Sequence, residues 1–499
     1  MVNKWYMQLG NVNEFKFITQ PELLFCSYAM LQKVSGHDLI VSYDDKAEMM
    51  KSNIADQQTD TVTIWLRSDQ VLNDKYYWET QFVNVASVTY SNSSISERKS
   101  LWSARGLLVR ERLQDERLFL VRIFDLCLLS WQRVNCEMQP MQKGQSVARD
   151  QMMQISHDGT ILAEKTLRQL EVHASRALYA LWLDAGSVLV AISGTGTIAI
   201  REVWSLSDLH FDHDQEAIAS SLRSLMDKTE HSADSPFLIG ADPEFALINK
   251  HNQIVPASKF FDTDSNVHIG ADALRSRHNI IYPLVELRPS PKLYTNQLIA
   301  NIKQLLLEAR QYIKDDELRW VAGAMPSPGL ALGGHIHFSG IRLSPRLLRM
   351  LDGLVAIPLA TIEDPLGRGR YRRYGALGDY RRQPHGGFEY RTPPSWLVSP
   401  AVTKAALALA YIAMKDYYKL SQNCKLKPEW YLAYDNRDEE LLISASLTIL
   451  EQIASLPSYV ELANDINPLL RAIHGGRRWD EQVDIRTRWG IRGSSKSGL

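Results

Sequence analysis

Four short segments in the second half of this 499-residue chain constrain its fold more than any other feature. Each carries two polar residues at i and i+2 with apolar residues between and around them. They are "GADPEFAL" with Asp242 and Glu244, "PLVELRP" with Glu286 and Arg288, "GGHIHFSG" with His335 and His337, and "GGFEYRTP" with Glu389 and Arg391. On a strand, alternate side chains share a face. Each pair therefore points one way, and Phe245, Leu287, Ile336, Phe338 and Tyr390 point the other. One such pair is what any amphipathic surface strand shows. Four pairs together are complementary: carboxylates and imidazoles ligate metals, and arginines grip phosphate or carboxylate with two donors at once. The expectation is one polar sheet face holding both cations and anions. Ligands without thiolate suit Mg²⁺ or Mn²⁺, with zinc also open.

Around these strands the pattern is α+β. Residues 295–314 carry apolar side chains at helical spacing. Ser344-Pro345 and Ser399-Pro400 each set a capping hydroxyl before a proline at the first helical position, which predicts helices over about 345–362 and 400–419. "FLIGADPEFALIN" reads as strand, turn and strand. In the first half, "RLFLVRIFDLCLLSWQRV" (117–134) predicts two strands around a turn near Asp125. Residues 164–183 read as a helix. "SVLVAISGTGTIAIREV" (187–203) reads as two strands flanking Gly194-Thr195-Gly196. Residues 1–75 give no assignment, 216–236 read as a linker, 426–490 as a helical extension and 491–499 as a loose tail.

Composition closes off several classes of function. The formal net charge is −1, so no global field favours nucleic acid or an anionic membrane. No apolar run reaches the roughly 18 residues of a membrane span. The four cysteines (Cys26, Cys127, Cys136 and Cys424) show no metal-type or disulfide-type spacing, which fits a cytoplasmic protein. One local exception is "GRGRYRRYGALGDYRRQPHGG" (367–387), with Arg368, Arg370, Arg372, Arg373, Arg381 and Arg382. A solvated charge run, a nucleic-acid surface and a phosphate clamp all have this composition. Its place between two of the four strands favours the clamp.

The ordered set "GADPEF", "YPLVELRPSP", "LGGHIHFSG" and "RRQPHGGFEYRTPPSWLVSP" resembles the glutamine-synthetase-like carboxylate–amine ligases, and within them the amidoligases called COOH–NH2 ligases of type 2. The resemblance spans roughly 237–420, and the catalytic domain is expected over 237–425. It implies a catalytic domain built on a glutamine-synthetase-like antiparallel sheet with flanking helices. It implies ATP-dependent amide formation, in which a phosphorylated carboxylate is attacked by an amine. By that likeness Asp242, Glu244, Glu286, His335 and Glu389 fall on metal positions. His337, Arg288, Arg372 and Arg373 fall toward the nucleotide, and Glu244, Arg381 and Arg391 toward the reacting groups. The implied cofactors are ATP and Mg²⁺ or Mn²⁺, and the partners small-molecule or peptide carboxylates and amines. Residues 76–215 resemble the later part of an ATP-grasp module of α/β type. There a strand ends in Glu-x-Asn, whereas Glu202 here is followed by Val203 and Trp204. Two other readings stay open: a metal-dependent hydrolase using the His-x-His pair, and a non-catalytic binding or assembly protein that keeps the fold.

Overall fold

A computed structural model describes residues 88–135, 162–205 and 236–491, apart from 264–266, 276–279, 373, 418 and 421–423, together with the backbone of the strands at 4–84 and 154–156. The expected linker and tail lie outside the described residues, except for Pro236 and Ile491. The chain divides into two compact units, Met1–Glu230 and His231–Leu499.

In the first unit, strands β1 (Lys4–Gln8), β2 (Phe15–Thr19), β3 (Glu22–Phe25), β4 (Asp38–Tyr43), β5 (Thr61–Leu72) and β6 (Lys75–Asn84) form a six-stranded sheet in the order β2-β3-β1-β4-β5-β6. A second sheet contains β7 (Arg117–Phe124), β8 (Cys127–Asn135), β9 (Gln154–Ser156), β10 (Ala185–Ile192) and β11 (Ile198–Ser205). It is antiparallel throughout, in the order β11-β10-β7-β8-β9. The turn between β7 and β8 is Asp125-Leu126, and both residues have positive φ (51° and 63°). That conformation matches the twist of a tight hairpin. The helix Glu164–Ala180 buries Leu170, Ala174, Ala177 and Leu178 against Val121, Ile123, Val188 and Val190. Glu202 lies 3.5 Å from Arg98, so this acid has a partner within its own unit.

The second unit is built on an antiparallel sheet of β12 (Leu238–Ile248), β13 (Ile254–Val255), β14 (Ile269–Arg275), β15 (Ile280–Leu287), β16 (Arg319–Val321), β17 (Gly334–Ser339), β18 (Tyr380–Arg382) and β19 (Phe388–Tyr390). The main path runs β14-β15-β12-β17-β19-β18. Phe245, Leu287, Ile336, Phe338 and Tyr390 are all buried, so the apolar members of the four alternating segments do form the sheet's inner face. Phe245 stacks on Trp320 with ring centroids 4.8 Å apart.

The expected break at Pro243 is absent, because β12 runs unbroken through it. The amide of Glu244 points to β17, where it donates to the Gly333 carbonyl (3.0 Å). Position 243 therefore faces the opposite edge. Pairing to β15 begins only at Glu244–Glu286, so no ladder hydrogen bond needs a donor at 243.

Helices cover the inner face. Thr295–Tyr312 lies against β12 and β15. Ser344 caps the helix that starts at Pro345, and Ser399 caps Pro400–Lys415, each hydroxyl accepting a backbone N–H from three residues on. The helix from Pro345 passes through a π-helical turn at Asp352–Ala356 and continues to Thr361. The wider turn places Asp352 under β19, where it accepts the Tyr390 hydroxyl (2.8 Å). Residues 426–490 are largely helical, with Pro428–Asn436, Glu439–Ile453 and Pro457–His474 as the long pieces. No helix among the described residues is long and apolar enough to cross a membrane.

Candidate active site

The four polar pairs stand on four adjacent strands, in the order β15, β12, β17, β19. The register aligns them laterally. Glu244 is opposite Glu286, Asp242 is opposite His335, and His337 is opposite Glu389. Side chains opposite one another on a common face lie close enough to interact directly. Beyond Glu244 the same face turns apolar, with Ala246, Ile248, Leu284, Val321, Leu330 and Leu332 clustered together. The polar patch is therefore bounded by a dry wall.

Two ligand sets result. The mixed set is centred on Asp242. The His335 Nδ1 lies 3.1 Å from the Asp242 Oδ1 and 3.2 Å from the Glu389 Oε1, and the His337 Nε2 lies 3.0 Å from the Asp242 Oδ2. Asp242, His337 and Glu389 can each offer a ligand atom to one point. The all-acid set is Glu244, Asp272 and Glu286, whose oxygens also converge. Glu244 keeps one oxygen engaged by the Gly333 amide (2.7 Å). Asp272 was not among the residues singled out in the sequence. Its strand has no second polar residue at i+2, and the pairing with β15 slips between Asp272 and Leu274. One signal was available: "IGAD" occurs twice, at 239–242 and at 269–272.

The electrostatics of the two sets differ. Burial pushes the Asp242 carboxyl up, but His335 and His337 outweigh it and hold the carboxyl well below its usual range. Burial lowers the His337 imidazole, yet Asp242 raises it more. In the all-acid set, burial and then Glu286 push Glu244 far above the usual carboxylate range. Burial and then Asp242 push Glu286 up to about 8, against the pull of Arg288.

A divalent cation fits these residues on two grounds. The Asp242 Oδ1, His335 Nδ1 and His337 Nε2 are buried atoms with no hydrogen bond among the described residues. They approach each other without donor geometry, as lone pairs facing a common centre do. The 3.0 to 3.2 Å gaps also match the edge of a metal octahedron, about 3 Å when each ligand is about 2.1 Å from the ion.

Arginines frame the patch. Arg391 Nη1 lies 2.6 Å from the Glu389 Oε1, and Arg381 Nη1 lies 3.1 Å from its Oε2. Gln383, which the sequence reading passed over, donates to the same Oε2 (3.1 Å). Arg288 pairs with Glu286 and donates to the Val267 carbonyl (3.2 Å). Gly270 makes room for it, since a β-carbon there would sit 2.2 Å from the Arg288 Nη1. The other loop arginines divide. Arg368 pairs with Glu439, away from the sheet, and Arg370 is buried. The Arg372 side chain and Arg373 lie outside the described residues. His385 is exposed at the β18–β19 turn and joins neither set.

The sequence profile of the phage phiEco32-like COOH.NH2 ligase type 2 family matches residues 239–491, about half of the chain. The chain belongs to this family of carboxylate–amine ligases, and the match covers every site strand described above. Among solved structures, it is similar to a bifunctional glutathione synthetase from Pasteurella multocida, with 11% identity over 57% of this chain and 53% of the other and a TM-score of 0.32. It is similar to the complex between the prokaryotic ubiquitin-like protein Pup and its ligase PafA, with 10% identity over 49% and 66% and a TM-score of 0.32. It is also similar to a glutamine synthetase of Plasmodium falciparum, with 13% identity over 58% and 82% and a TM-score of 0.28. The chain thus spans about half the length of that glutathione synthetase. At these TM-scores the likenesses carry no argument about chemistry. No protein of curated function matches the chain.

Proposed function

We propose that this protein is an ATP-dependent carboxylate–amine ligase that forms an amide through an acyl phosphate, with Mg²⁺ or Mn²⁺ at the two ligand sets. One observation carries the reading beyond family membership. Asp242 and Glu244 project from one face of a single unbroken strand, and each anchors a separate ligand set flanked by arginine. A carboxylate is a poor electrophile, and phosphorylation supplies its leaving group. That transfer brings the anions of an acid and a γ-phosphate together. A divalent cation held by these carboxylates and imidazoles would offset that repulsion.

The chain's own residues supply the rest. Asp242, Glu389 and the imidazoles of His335 and His337 would hold one cation, and Glu244, Asp272 and Glu286 the other. His337 has the more exposed side chain of the two histidines, 31% against 11% for His335, and would be the one to reach the nucleotide phosphates. Arg391 and Arg381, gathered at Glu389, place two guanidinium groups where negative charge develops. Arg288 does the same at the opposite edge. The apolar cluster beyond Glu244 excludes water from one side, which protects an acyl phosphate from hydrolysis. The substrates are small-molecule or peptide carboxylates and amines.

The test is to incubate the protein with ATP, Mg²⁺ and pools of amino acids and short peptides while following ADP and phosphate. The reading requires substrate-dependent ADP release that is abolished in Glu244→Ala and His335→Ala. Metal-dependent hydrolysis of the same pools without nucleotide would overturn it.

A further inference from the structure

We propose that Arg370 is a positioning residue that locks the two strands bearing His335 and Glu389 into a fixed relation. The inference rests on the ligase reading only for its consequence on metal affinity. Arg370 belongs to the arginine-rich loop, yet it is 2% exposed and pairs with no carboxylate among the described residues. Its guanidinium fans out to three backbone carbonyls. The Nε donates to Leu332 (2.9 Å), the Nη1 to Thr392 (2.9 Å) and the Nη2 to Pro393 (3.0 Å).

The location of those carbonyls gives the contact its meaning. Leu332 lies three residues before His335, and Thr392 and Pro393 directly follow Arg391. The β17–β19 ladder itself has only three residue pairs, Ile336–Tyr390, His337–Glu389 and Phe338–Phe388. Past its end the chains meet again where the Gly334 amide donates to the Pro393 carbonyl (3.1 Å) and Gly333 bridges Pro394. Arg370 binds the carbonyls on both sides of that junction. The loop is shaped to admit it: Gly375 has a positive φ of 76°, and a β-carbon there would stand 2.0 Å from the Arg370 Nη1.

A planar fork with donors in three directions can join three carbonyls at once. A lysine ammonium reaches fewer of them, and a glutamine amide has too few donors. A buried charge facing only neutral dipoles is costly to bury, so it is retained only where its geometry is needed. Without the fork, only the three-pair ladder and the short junction of Gly333 and Gly334 with Pro393 and Pro394 set the distance between His335 and Glu389, and the 3 Å spacings of the mixed set loosen.

The test compares wild type, Arg370→Gln, Arg370→Lys and, as a control for general destabilisation, Ile466→Ala, which removes a fully buried side chain from the distant helix Pro457–His474. Hydrogen exchange of the metal-free proteins should show segments 330–340 and 388–395 exchanging at least tenfold faster in Arg370→Gln, with helix 457–474 unchanged. Mn²⁺ affinity should fall at least tenfold in Arg370→Gln, recover in part in Arg370→Lys and stay at the wild-type value in Ile466→Ala. Exchange that is unchanged in the two segments, or raised equally everywhere, overturns the proposal. So does wild-type Mn²⁺ affinity in Arg370→Gln. If Arg370→Gln does not fold, Arg370→Lys against Ile466→Ala makes the same comparison. If wild type itself takes up no Mn²⁺, the ligase reading falls, and the exchange data alone decide the role of Arg370.

Discussion

The two ligand sets are anchored two residues apart on β12 and differ in charge. In the mixed set, Asp242 and His337 stabilise each other's ionised forms, and His335 beside them lowers the Asp242 carboxyl further. In the all-acid set, Asp272 and Glu286 push against Glu244 in a largely buried place, opposed by the Gly333 amide at Glu244 and by Arg288 at Glu286. The mixed set carries imidazoles among its carboxylates, whereas the all-acid set carries none. Buried charge is tolerated when paired and costly when it is not. The need for a divalent ion is therefore greatest at Glu244 and Glu286, and substitutions at the two sets should diverge.

The sharpest contrast is Glu244→Gln. A side chain held neutral by its surroundings loses little when exchanged for its neutral isostere, and the amide oxygen still accepts the Gly333 N–H. The metal-free variant should melt within about 1 kcal/mol of wild type. Substrate-dependent ADP release should fall roughly 10³-fold, since several kcal/mol of metal-supplied stabilisation are lost. A melting temperature far below wild type would mean that Glu244 is a structural anion, and the contrast between the sets would collapse. Asp242→Asn should behave in the reverse manner before any metal is added. It removes the buried carboxylate that both imidazoles face, a loss of about 4 kcal/mol. Chemical denaturation of the two variants side by side decides the matter, and equal stabilities would break the comparison.

A third buried carboxylate serves as a reference. Glu481 is 1% exposed and accepts the Met325 amide (2.8 Å), the Ala324 amide and the Trp479 indole (3.3 Å), with no ligand set nearby. Burial nevertheless pushes it up to about 7, against those donors. A carboxyl raised on folding contributes stability that is fully present below the unfolded value near 4.5 and is lost as pH rises through the folded value near 7. Wild type should therefore lose up to about 3 kcal/mol relative to Glu481→Gln between pH 4.5 and pH 8. A stability difference that stays flat with pH would show that the three donors hold Glu481 ionised throughout.

What was legible in the sequence is the part governed by period and chemistry. Alternation exposed four pairs, and the strands that carry them are neighbours in the sheet. Serine followed by proline marked two helix starts at Ser344 and Ser399. The rest depended on long-range placement. Pro243 reads as a break because a local rule cannot show that its edge meets no partner strand at that point. The arginines at 367–387 look alike in sequence, yet Arg381 reaches the site, Arg368 pairs elsewhere and Arg370 is interred, a division set by burial. Asp272 escaped notice because it is a lone acid with Leu274 two residues on, and only the pairing of Gly270 with Glu286 and Asp272 with Leu284 puts it on the face of Glu286.

That residue gives the finest test of whether the sets are separate. Asp272 comes from β14, the outermost strand of the path, and is more exposed than either glutamate in its set. As the peripheral ligand of three, it should contribute least. Asp272→Asn should weaken Mn²⁺ binding about tenfold at one of two sites, the loss of one carboxylate ligand being worth about 1.4 kcal/mol there. The other site, held by Asp242, the imidazoles and Glu389, shares no residue with it and should keep its affinity. A calorimetric titration of the variant should then resolve a weakened step beside an unchanged one. A uniform shift of both steps would mean that Asp242 and Glu244 serve a single shared centre, because one strand face would then be offering all its ligands to the same ion.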